Sequence, residues 1–337
     1  MVRFAVLCPS EIAFRRFMPA LKRIKEVTFV GVGHANEIEW FGKKSADNNL
    51  SLLKNDLEKA EKFVKEFGGS VFDSYESIVC SPNIDAVYIP LPPGLHFKWA
   101  KKALEHGKHV LVEKPATTSL KDTEELVMLA KGKGLAFHEN YMFVFHDQLN
   151  YIRTMLADQV IGEIRLFRIS FGFPFRGKND FRYSKALGGG ALLDCGGYAI
   201  KLASLLLGPT TKLVSHSLSF CDGFDVDVYG SGTLTNELGQ IAQISFGMDN
   251  SYRCDLDIWG SIGSVFTGRI MTAPNDLEPI IRVSVSSETQ EVKLKPDDSF
   301  LKSINHFLGC ISNEELRNHT YDGILSQARI VDEFKVK

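Results

Sequence analysis

The chain has 337 residues, of which 44% are hydrophobic and 24% are charged, a composition typical of a globular protein. This length exceeds one ordinary compact core and predicts two domains. A net charge of −2, without any run of about six like charges, excludes an extended basic surface for nucleic acid. We therefore expect no nucleic-acid partner.

The cysteines are scattered, without a CxxC pair or the spacing of zinc ligands. They are Cys8, Cys80, Cys195, Cys221, Cys254 and Cys310. The apolar start, residues 1–7, is too short for the hydrophobic region of a signal peptide, and no segment reaches about 18 uninterrupted apolar residues. These features predict free thiols in a reducing cytoplasm, no metal site, no disulfide and no membrane partner.

Residues 1–140 alternate short β-rich runs with helical patterns, which predicts βαβ units and a doubly wound parallel sheet. The runs 86–89 and 110–112 are almost continuously apolar, as expected of strands covered on both faces. The polar, weakly periodic stretch 36–55 predicts a long loop after the second strand. The predicted strands are 4–7, 28–32, 70–72, 86–89, 109–112 and 135–139. The predicted helices follow Ser10 and cover 53–66, 96–105 and 120–131.

Residues 141–337 predict a second α/β domain with an open, mostly antiparallel sheet. Period-2 alternation at 214–220 and 226–229 puts polar and apolar side chains on opposite faces. After a helix near 144–158, one long helix, 191–207, interrupts this half, and a last helical pattern, 324–334, can pack back on the first domain. The other predicted strands are 240–246, 255–259, 281–286 and 291–295.

The turn after the first strand is where a dinucleotide-binding domain has its GxGxxG fingerprint, because only glycine lets the backbone approach a pyrophosphate closely. Cys8, Ser10 and Ala13 occupy those positions. All three residues are small, and Arg15 and Arg16 on the next helix can reach phosphate oxygens. The local pattern leaves dinucleotide binding and a structural βα turn equally open.

The second strand ends at Gly33-His34-Ala35, without an acidic residue for a ribose 2′-hydroxyl or an arginine for a 2′-phosphate. Lys43 or Lys44 can substitute for the arginine, although a lysine pair is more often a solvated surface. The sequence leaves NAD and NADP both open.

The turn after the fourth strand contains Leu91 and Pro92 and leads to His96 near a helix start. It lies at the carboxyl edge of the predicted sheet, where open α/β sheets bind ligands. His96 either lines the cofactor cleft or caps and packs the helix, and its chemistry favours neither.

Glu113-Lys114-Pro115 directly follows the fifth strand at the same edge. A lysine ammonium there can hold a substrate oxygen and stabilise charge that develops on it, with Glu113 close enough to orient the lysine. The alternative is a surface lysine before a helix. Pro115 argues against that alternative, since it indicates a fixed bend of the kind that uses a cis peptide bond.

The glycine-rich run 188–198, GGGALLDCGGY, opens the long helix of the second half. Asp194 and Tyr198 are four residues apart, and we expect them on one helix face. A phenol, with an ordinary pKa of about 10, becomes a useful acid when a cation such as Lys114 favours its anion. The alternative is a half-buried tyrosine that uses its hydroxyl as a polar handle.

Three strings of residues carry a resemblance to a known family. They are residues 85–92 with His96, residues 107–115, and the run 188–198. In this order and spacing they resemble the glucose-fructose oxidoreductase, inositol dehydrogenase and MocA family (GFO/IDH/MocA) over nearly the whole chain. The resemblance implies a Rossmann domain, 1–140, and an α/β domain, 141–337, whose antiparallel sheet forms homodimers or homotetramers.

The same resemblance implies NAD or NADP as cofactor and catalysis by Lys114 and Tyr198, with Asp194 positioning a sugar hydroxyl. The residues that it assigns to the cofactor are Cys8, Ser10, Ile12, Ala13, Arg16, Leu91, Pro92, His96, Glu113, Lys114 and Arg182. Many members have histidine at the position of Tyr198, and tyrosine there is similar to glucose-fructose oxidoreductase, dihydrodiol dehydrogenase and the nucleotide-sugar 3-ketoreductases. Residues 12–21, 252–253 and 259–264 resemble the 3-ketoreductases most. Hydride transfer to or from a sugar or nucleotide-sugar carbon, such as hexose C3, is the implied reaction.

Departures from the family pattern keep two alternatives open. The missing glycines at Cys8 and Ser10, with Ala35 in place of the usual arginine, are compatible with a non-catalytic dinucleotide-binding regulator on the same fold. The other alternative is a dehydrogenase that acts on a free sugar or a cyclic diol. A nucleotide diphosphate needs several cationic contacts, and the candidates for these are Arg176, Lys178 and Arg253.

Overall fold

A computed structural model describes residues 1–41 and 50–336, with the backbone alone described at 40, 41 and 50–53. The predicted contribution of Lys43 or Lys44 lies outside the described residues. The chain forms two compact units. The first comprises Met1–Thr117, Lys121–Asn140 and Ser303–Leu325, and the second comprises Thr118–Leu120, Tyr141–Lys302 and Ser326–Lys337.

The first unit contains a six-stranded parallel sheet with the order β3-β2-β1-β4-β5-β6. All six strands lie within two residues of their predicted positions. They are β1 Val2–Val6, β2 Val27–Gly33, β3 Ser70–Phe72, β4 Ala86–Ile89, β5 His109–Glu113 and β6 Phe137–Asn140. Every residue of β4 is buried, as its continuous apolar run predicts. The doubly wound fold class is therefore confirmed.

Helices connect these strands. They are a π-helix Ala13–Phe17, α1 Met18–Leu21, α2 Glu37–Phe41, α3 Leu50–Phe67, α4 Tyr75–Val79, α5 Pro93–Glu105 and α6 Leu120–Lys133. The predicted loop 36–55 is wrong at both ends, where α2 and the start of α3 lie. At α2 the cause is a capping box: the Asn36 side chain accepts from the Glu39 amide, and the Glu39 carboxylate accepts from the Asn36 amide.

The second unit contains an eight-stranded sheet with the order β14-β13-β12-β11-β7-β10-β9-β8. Every adjacent pair is antiparallel except β7 with β10, so the predicted mostly antiparallel sheet is confirmed. The strands are β7 Ile164–Gly172, β8 Lys212–Phe220, β9 Asp227–Thr235, β10 Ile241–Gly247, β11 Arg253–Gly260, β12 Gly263–Gly268, β13 Ile280–Val285 and β14 Glu288–Lys293. Two of these, β7 and β12, are missing from the prediction. The signal for β7 was present, since Phe167, Ile169 and Phe171 alternate into the core.

The expectation of one long helix in this half is wrong. The helices are 3-10 turns at Met142–Phe145, Phe181–Tyr183 and Lys185–Leu187, α7 Asp147–Ala157, a π-helix Leu192–Gly196, α8 Gly197–Leu207, α9 Ser299–Ser312 and α10 Glu314–Glu333. The apolar periodicity of α9 was overlooked, and α10 begins ten residues before the predicted pattern.

One segment in the described part of the chain, Lys185–Leu207, has the length and mean hydropathy, 1.4, of a membrane span. Its most apolar window is 72% buried inside the protein, as in a core helix, so the segment is weak evidence for a membrane.

Candidate active site

In the first unit, the turns after β1, β4 and β5 lie with the end of β6 at one edge of the sheet. β1 lies between β2 and β4, and the chain connections leave in opposite directions from this point. The carboxyl ends of parallel strands at such a switch point form a ligand-binding crevice. The turns after β1, β4 and β5 therefore share the edge that the sequence predicted.

The turn after β1 is held by contacts with backbone atoms of the following helix and of the turn after β4. The Cys8 thiol is buried and contacts the Pro90 carbonyl oxygen at 3.5 Å. The Ser10 hydroxyl accepts a hydrogen bond from the Ala13 amide at 3.2 Å, which caps the following helix. Burial raises the pKa of Cys8, so this residue is a neutral thiol and not a nucleophile.

This turn still fits a dinucleotide. Small side chains stand at all three fingerprint positions, and the helix N-terminus that follows presents amides at the crevice. Ile12 is partly exposed in the first helical turn, and Arg16 is half-buried in the π-helix. Arg15 points to solvent, 3.8 Å from Glu11. Arg16 is therefore the less exposed of the two arginines.

His96 joins the turn after β4 to the turn after β5. Its ring is fully buried, with Nδ1 at 2.8 Å from the Pro115 carbonyl oxygen and Nε2 at 2.7 Å from the Leu91 carbonyl oxygen. Burial lowers the pKa of His96 to about 4, against the two carbonyl contacts and with a smaller contribution from the Lys114 charge. A neutral ring has one N–H and donates to one of these two carbonyls, while the other nitrogen packs against the second. The geometry supports the packing role.

The Glu113 carboxylate lies among polar partners at the end of β5. Its Oε1 accepts from the Tyr88 hydroxyl at 2.5 Å and from Asn140 Nδ2 at 2.7 Å. Burial raises the pKa of Glu113, while both hydrogen bonds and the Lys114 charge oppose that rise. Lys114 is half-buried, and its peptide bond to Pro115 is cis.

Two of these partners, Tyr88 and Asn140, were missed by reasoning from the sequence. Tyr88 was assigned only to a buried strand, and Asn140 marked only the end of the first half. The available signal was the buried strand β6, Phe137–Asn140, in which three of four residues are polar. Buried polar side chains require hydrogen-bond partners and so indicate a hydrogen-bond network.

In the second unit, the glycine-rich run brings a loop against the start of a helix. A Cβ at Gly189 would collide with the Arg182 carbonyl, and Gly190 has a φ of 120°, in the region that glycine favours. The Asp227 carboxylate accepts from the Leu192 amide at 2.6 Å and so caps the π-helix. Asp227 is another residue that the sequence did not reveal, because it lies more than 30 residues away at a strand start.

Arg182 and Asp194 are brought together by this arrangement. Arg182 Nε donates to Asp194 Oδ2 at 2.7 Å, and Arg182 Nη1 donates to Asp180 Oδ1 at 3.1 Å. Burial opposes the guanidinium charge, but the two carboxylates outweigh it and raise the pKa of Arg182. One Asp194 oxygen therefore holds Arg182, a contact that the sequence analysis did not anticipate.

Tyr198 lies four residues after Asp194, where the π-helix has passed into α8. Its ring is 8% exposed and packs edge-on against Tyr141 and Phe171, each at 5.2 Å between centroids, and at a tilt against Phe143 at 5.7 Å. A Cβ at Gly197 would collide with the Tyr141 hydroxyl, so this glycine lets the helix approach the ring. These contacts fix the Tyr198 ring in one orientation.

The candidate cations for a diphosphate surround the end of β7. Arg253 pairs with Gly172, the last residue of that strand, and Arg176 follows it, with its guanidinium 4.6 Å from the Phe173 ring. Both arginines and Lys178 are exposed. An aromatic cluster of Phe175, Tyr183 and Phe224 lies in the same loop region, with centroids 4.9–6.0 Å apart.

No group of three His, Cys, Asp or Glu side chains suited to a metal ion occurs among the residues that the structure describes.

Two family models match the chain. Residues 25–141 match the oxidoreductase family with an NAD-binding Rossmann fold, and residues 149–266 match the GFO/IDH/MocA C-terminal domain. A dTDP-3,4-didehydro-2,6-dideoxy-α-D-glucose 3-reductase from Actinomadura kijaniata is 35% identical over 98% of this chain and 94% of its own length. A reductase of the same name from Saccharopolyspora spinosa is 37% identical over 91% of this chain and 86% of its own length.

Among solved structures, a 3-ketoreductase from Actinomadura kijaniata in complex with NADP and TDP-benzene superposes with a TM-score of 0.89. It is 34% identical, and the match covers 99% of this chain and 97% of that one. The predicted resemblance is confirmed, and the chain belongs to the GFO/IDH/MocA family of NAD(P)-dependent oxidoreductases.

Proposed function

We propose that the protein reduces the C3 ketone of a dTDP-linked deoxyhexose. Relatives of this activity align with the chain almost from end to end. The observation that carries the proposal is this alignment with 3-reductases. It is supported by the hydrogen bonds that hold Glu113, the chain neighbour of Lys114, and by the aromatic rings that hold Tyr198.

In this mechanism the bound nicotinamide supplies the hydride to C3. The Tyr198 hydroxyl donates its proton to the alkoxide oxygen that forms at C3, and the Lys114 ammonium donates a hydrogen bond to the same oxygen. The Glu113 carboxylate orients the Lys114 ammonium. The product is the C3 alcohol, so each turnover consumes one hydride and one proton.

Arg182 and Asp194 act as a pair in this proposal. Asp194 holds the guanidinium through Nε at 2.7 Å, and Asp180 holds it through Nη1. Arg182 is thus held for contact with the cofactor, and Asp194 positions a sugar hydroxyl.

For the nucleotide, Arg176, Lys178 and Arg253 supply positive charge for the diphosphate. The Phe175 ring, 42% exposed, offers an apolar surface for the base. These residues favour a nucleotide sugar over a free sugar or a cyclic diol, because neither of the latter carries a diphosphate.

Two observations bear on the choice between NADP(H) and NAD(H), and they favour different cofactors. The related 3-ketoreductase binds NADP. In this chain, however, Ala35 replaces the usual arginine, and its amide donates to the Asp56 carboxylate at 3.0 Å. A carboxylate at the end of β2 disfavours a 2′-phosphate and favours a free ribose hydroxyl. Fluorescence titration with NADH and NADPH compares the two directly.

We further propose a cytoplasmic homodimer or homotetramer formed through the outer face of the eight-stranded sheet, with functional domains 1–140 and 141–337. That face exposes Trp259, Phe266 and Tyr229, each more than 40% accessible, and the Arg168 guanidinium lies 3.8 Å from the Trp259 ring. Aromatic residues and arginine are typical of interfaces. Light scattering of Trp259→Glu, with Met128→Glu as an exposed apolar control on α6, tests this surface.

The catalytic proposal is tested with Lys114→Ala and Tyr198→Phe. NADPH-dependent reduction of dTDP-3,4-didehydro-2,6-dideoxyglucose is followed at 340 nm, and both variants should lose turnover while still binding the cofactor. Full turnover in both variants would refute the assignment. Tight cofactor binding by the wild type with no turnover on keto-sugar, sugar or diol panels would support the non-catalytic regulator.

A further inference from the structure

A chain of buried hydrogen bonds runs away from Glu113 into the interior of the first unit. Asn140 Nδ2 donates to Glu113 Oε1 at 2.7 Å, and the Ser303 hydroxyl donates to Asn140 Oδ1 at 2.8 Å. His138 Nε2 lies 3.0 Å from the Ser303 oxygen. Asn140, Ser303 and His138 are each less than 5% exposed, so this chain is shielded from water.

The chemistry of the groups fixes the direction of every bond. A carboxylate only accepts, so the Asn140 nitrogen faces Glu113 and its oxygen faces Ser303. The single hydroxyl proton of Ser303 is committed to Asn140, and therefore Nε2 of His138 carries a proton and donates it. Every donor in the chain points toward Glu113.

Strand register builds this arrangement. Asn140 is the direct neighbour of Glu113 across β5 and β6, and His138 lies two residues earlier on the same face of β6. Ser303 comes from α9. An apolar residue at any of these buried positions would satisfy the packing of a Rossmann core, and polar groups there carry a desolvation cost. The fold alone does not call for them.

We propose that Asn140, Ser303 and His138 are positioning residues that hold Glu113 as an oriented carboxylate beside Lys114. This inference rests on the proposed function, since it assumes that Lys114 acts on the substrate. Bonds that all donate toward Glu113 stabilise its anion, and loss of one of them makes the carboxylate easier to protonate. A protonated Glu113 no longer attracts the Lys114 ammonium, so turnover should fall at acidic pH.

The charged and titratable groups around Glu113 come from several elements. Tyr88 on β4 donates to it, Lys114 is its chain neighbour, and the His306 ring of α9 lies 5.3 Å from that of His138. Glu139, also on β6, accepts from the Ala116 amide, and the pKa of His96 responds to the Lys114 charge. Tyr88 and Lys114 are unchanged in the Ser303 variants. A shift in the pH dependence of turnover therefore reports the contribution of the hydrogen bonds of Asn140, Ser303 and His138.

The test compares Ser303→Ala with Ser299→Ala. Ser299 is equally buried, lies one turn earlier in α9, and takes no part in the chain. For reduction of dTDP-3,4-didehydro-2,6-dideoxyglucose, the acid limb of the kcat pH profile should move up by about half a unit to one unit in Ser303→Ala, with KM for the sugar unchanged. Ser303→Thr, which keeps the hydroxyl, should restore the wild-type limb, and so should Ser299→Ala.

A second readout needs no substrate. The infrared carbonyl band of protonated Glu113, identified by its loss in Glu113→Gln, should appear at a higher pH in Ser303→Ala than in the wild type. If the acid limb and the Glu113 band of Ser303→Ala both match those of Ser299→Ala, the inference is wrong and the buried hydrogen bonds are only a structural feature. Loss of turnover in Lys114→Ala with an unmoved limb in Ser303→Ala refutes only the chain, whereas an active Lys114→Ala refutes the proposed function itself.

Discussion

The turn after β1 and the end of β5 lie at the same edge of one sheet, yet they are built in opposite ways. In the first turn, the Cys8 thiol contacts the Pro90 carbonyl oxygen, and the Ser10 hydroxyl accepts a hydrogen bond from the Ala13 amide. At the end of β5, Glu113 is held by side chains from two neighbouring strands, Tyr88 and Asn140. The first turn is held through backbone groups, whereas the end of β5 depends on side chains of β4 and β6.

This difference explains which departures from the family pattern the fold can tolerate. A turn whose side chains contact only neutral groups such as backbone carbonyls and amides can exchange glycine for another small residue, because the exchange leaves no charge uncompensated. A buried carboxylate cannot lose a partner without leaving charge or a polar atom uncompensated. We therefore expect substitutions at the end of β5 to have large effects and those in the first turn to have small ones.

The largest expected effect comes from removing the cation at the end of β5. Lys114→Met keeps the length and apolar stem of the side chain and removes only the charge. We expect kcat to fall by about 10²–10⁴-fold, because the developing alkoxide loses its cation and keeps only the Tyr198 hydroxyl. Steady-state kinetics measure this, and Cys8→Ser in the first turn is the comparison. Equal losses in the two variants would abolish the contrast between the regions.

His96 joins the turn after β4 to Pro115 at the end of β5, and its burial makes the stability of the protein depend on pH. The unfolded-state pKa is about 6.5 and the folded-state pKa is about 4, so the unfolded state takes up the proton first. Stability from this group is complete above pH 6.5, falls between pH 6.5 and 4, and is flat below. The loss corresponds to about 3 kcal/mol.

Urea unfolding of the wild type and His96→Gln over this pH range measures the contribution of His96. The pH dependence should be shallower in His96→Gln, and should change much less in His319→Asn, which alters an exposed histidine. Parallel curves for the wild type and His96→Gln would contradict a neutral, buried His96.

Tyr88→Phe tests one hydrogen bond at the end of β5, the bond from the Tyr88 hydroxyl to Glu113. The substitution removes the donor to Glu113 and keeps the ring, which stacks on Phe17 at 3.8 Å between centroids. We expect a loss of about 1–2 kcal/mol in the free energy of unfolding at neutral pH, because a half-buried carboxylate loses a hydrogen-bond donor. The loss should shrink at acidic pH, where Glu113 is protonated. Urea unfolding at two pH values checks this, and a pH-independent loss would indicate packing alone.

Most of the parallel sheet could be predicted from the sequence, because buried strands such as β4 are short, continuous apolar runs. The strand β7 was missed although its alternation is clear, and α2 was missed because its capping box, Asn36 and Glu39, lies in a polar stretch. Neither π-helix could be predicted. Its backbone hydrogen bonds span five residues where those of an α-helix span four, and the residue types do not show this difference.

The site was predictable where chemistry is local and not where it depends on register. Lys114 and Tyr198 stand out in their own motifs. Asn140 becomes meaningful only when β6 is placed beside β5, and Asp227 only when β9 brings it to the helix that contains Asp194. Likewise, the two carbonyl partners of His96 show the packing role that its sequence position left open.

The smallest expected effect lies in the first turn, at Ser10. Its hydroxyl caps the following helix, so Ser10→Ala should cost about 1 kcal/mol in the free energy of unfolding, and Ser10→Gly only a few tenths. If the backbone of this turn binds the pyrophosphate, the Kd for NADPH should change by less than about threefold in both variants, a difference below 1 kcal/mol. Thermal unfolding and fluorescence titration measure the two quantities. Binding that tightens about tenfold or more in Ser10→Gly would show that the hydroxyl obstructs the cofactor, and the turn would then be a true departure from the family's function as well as from its glycines.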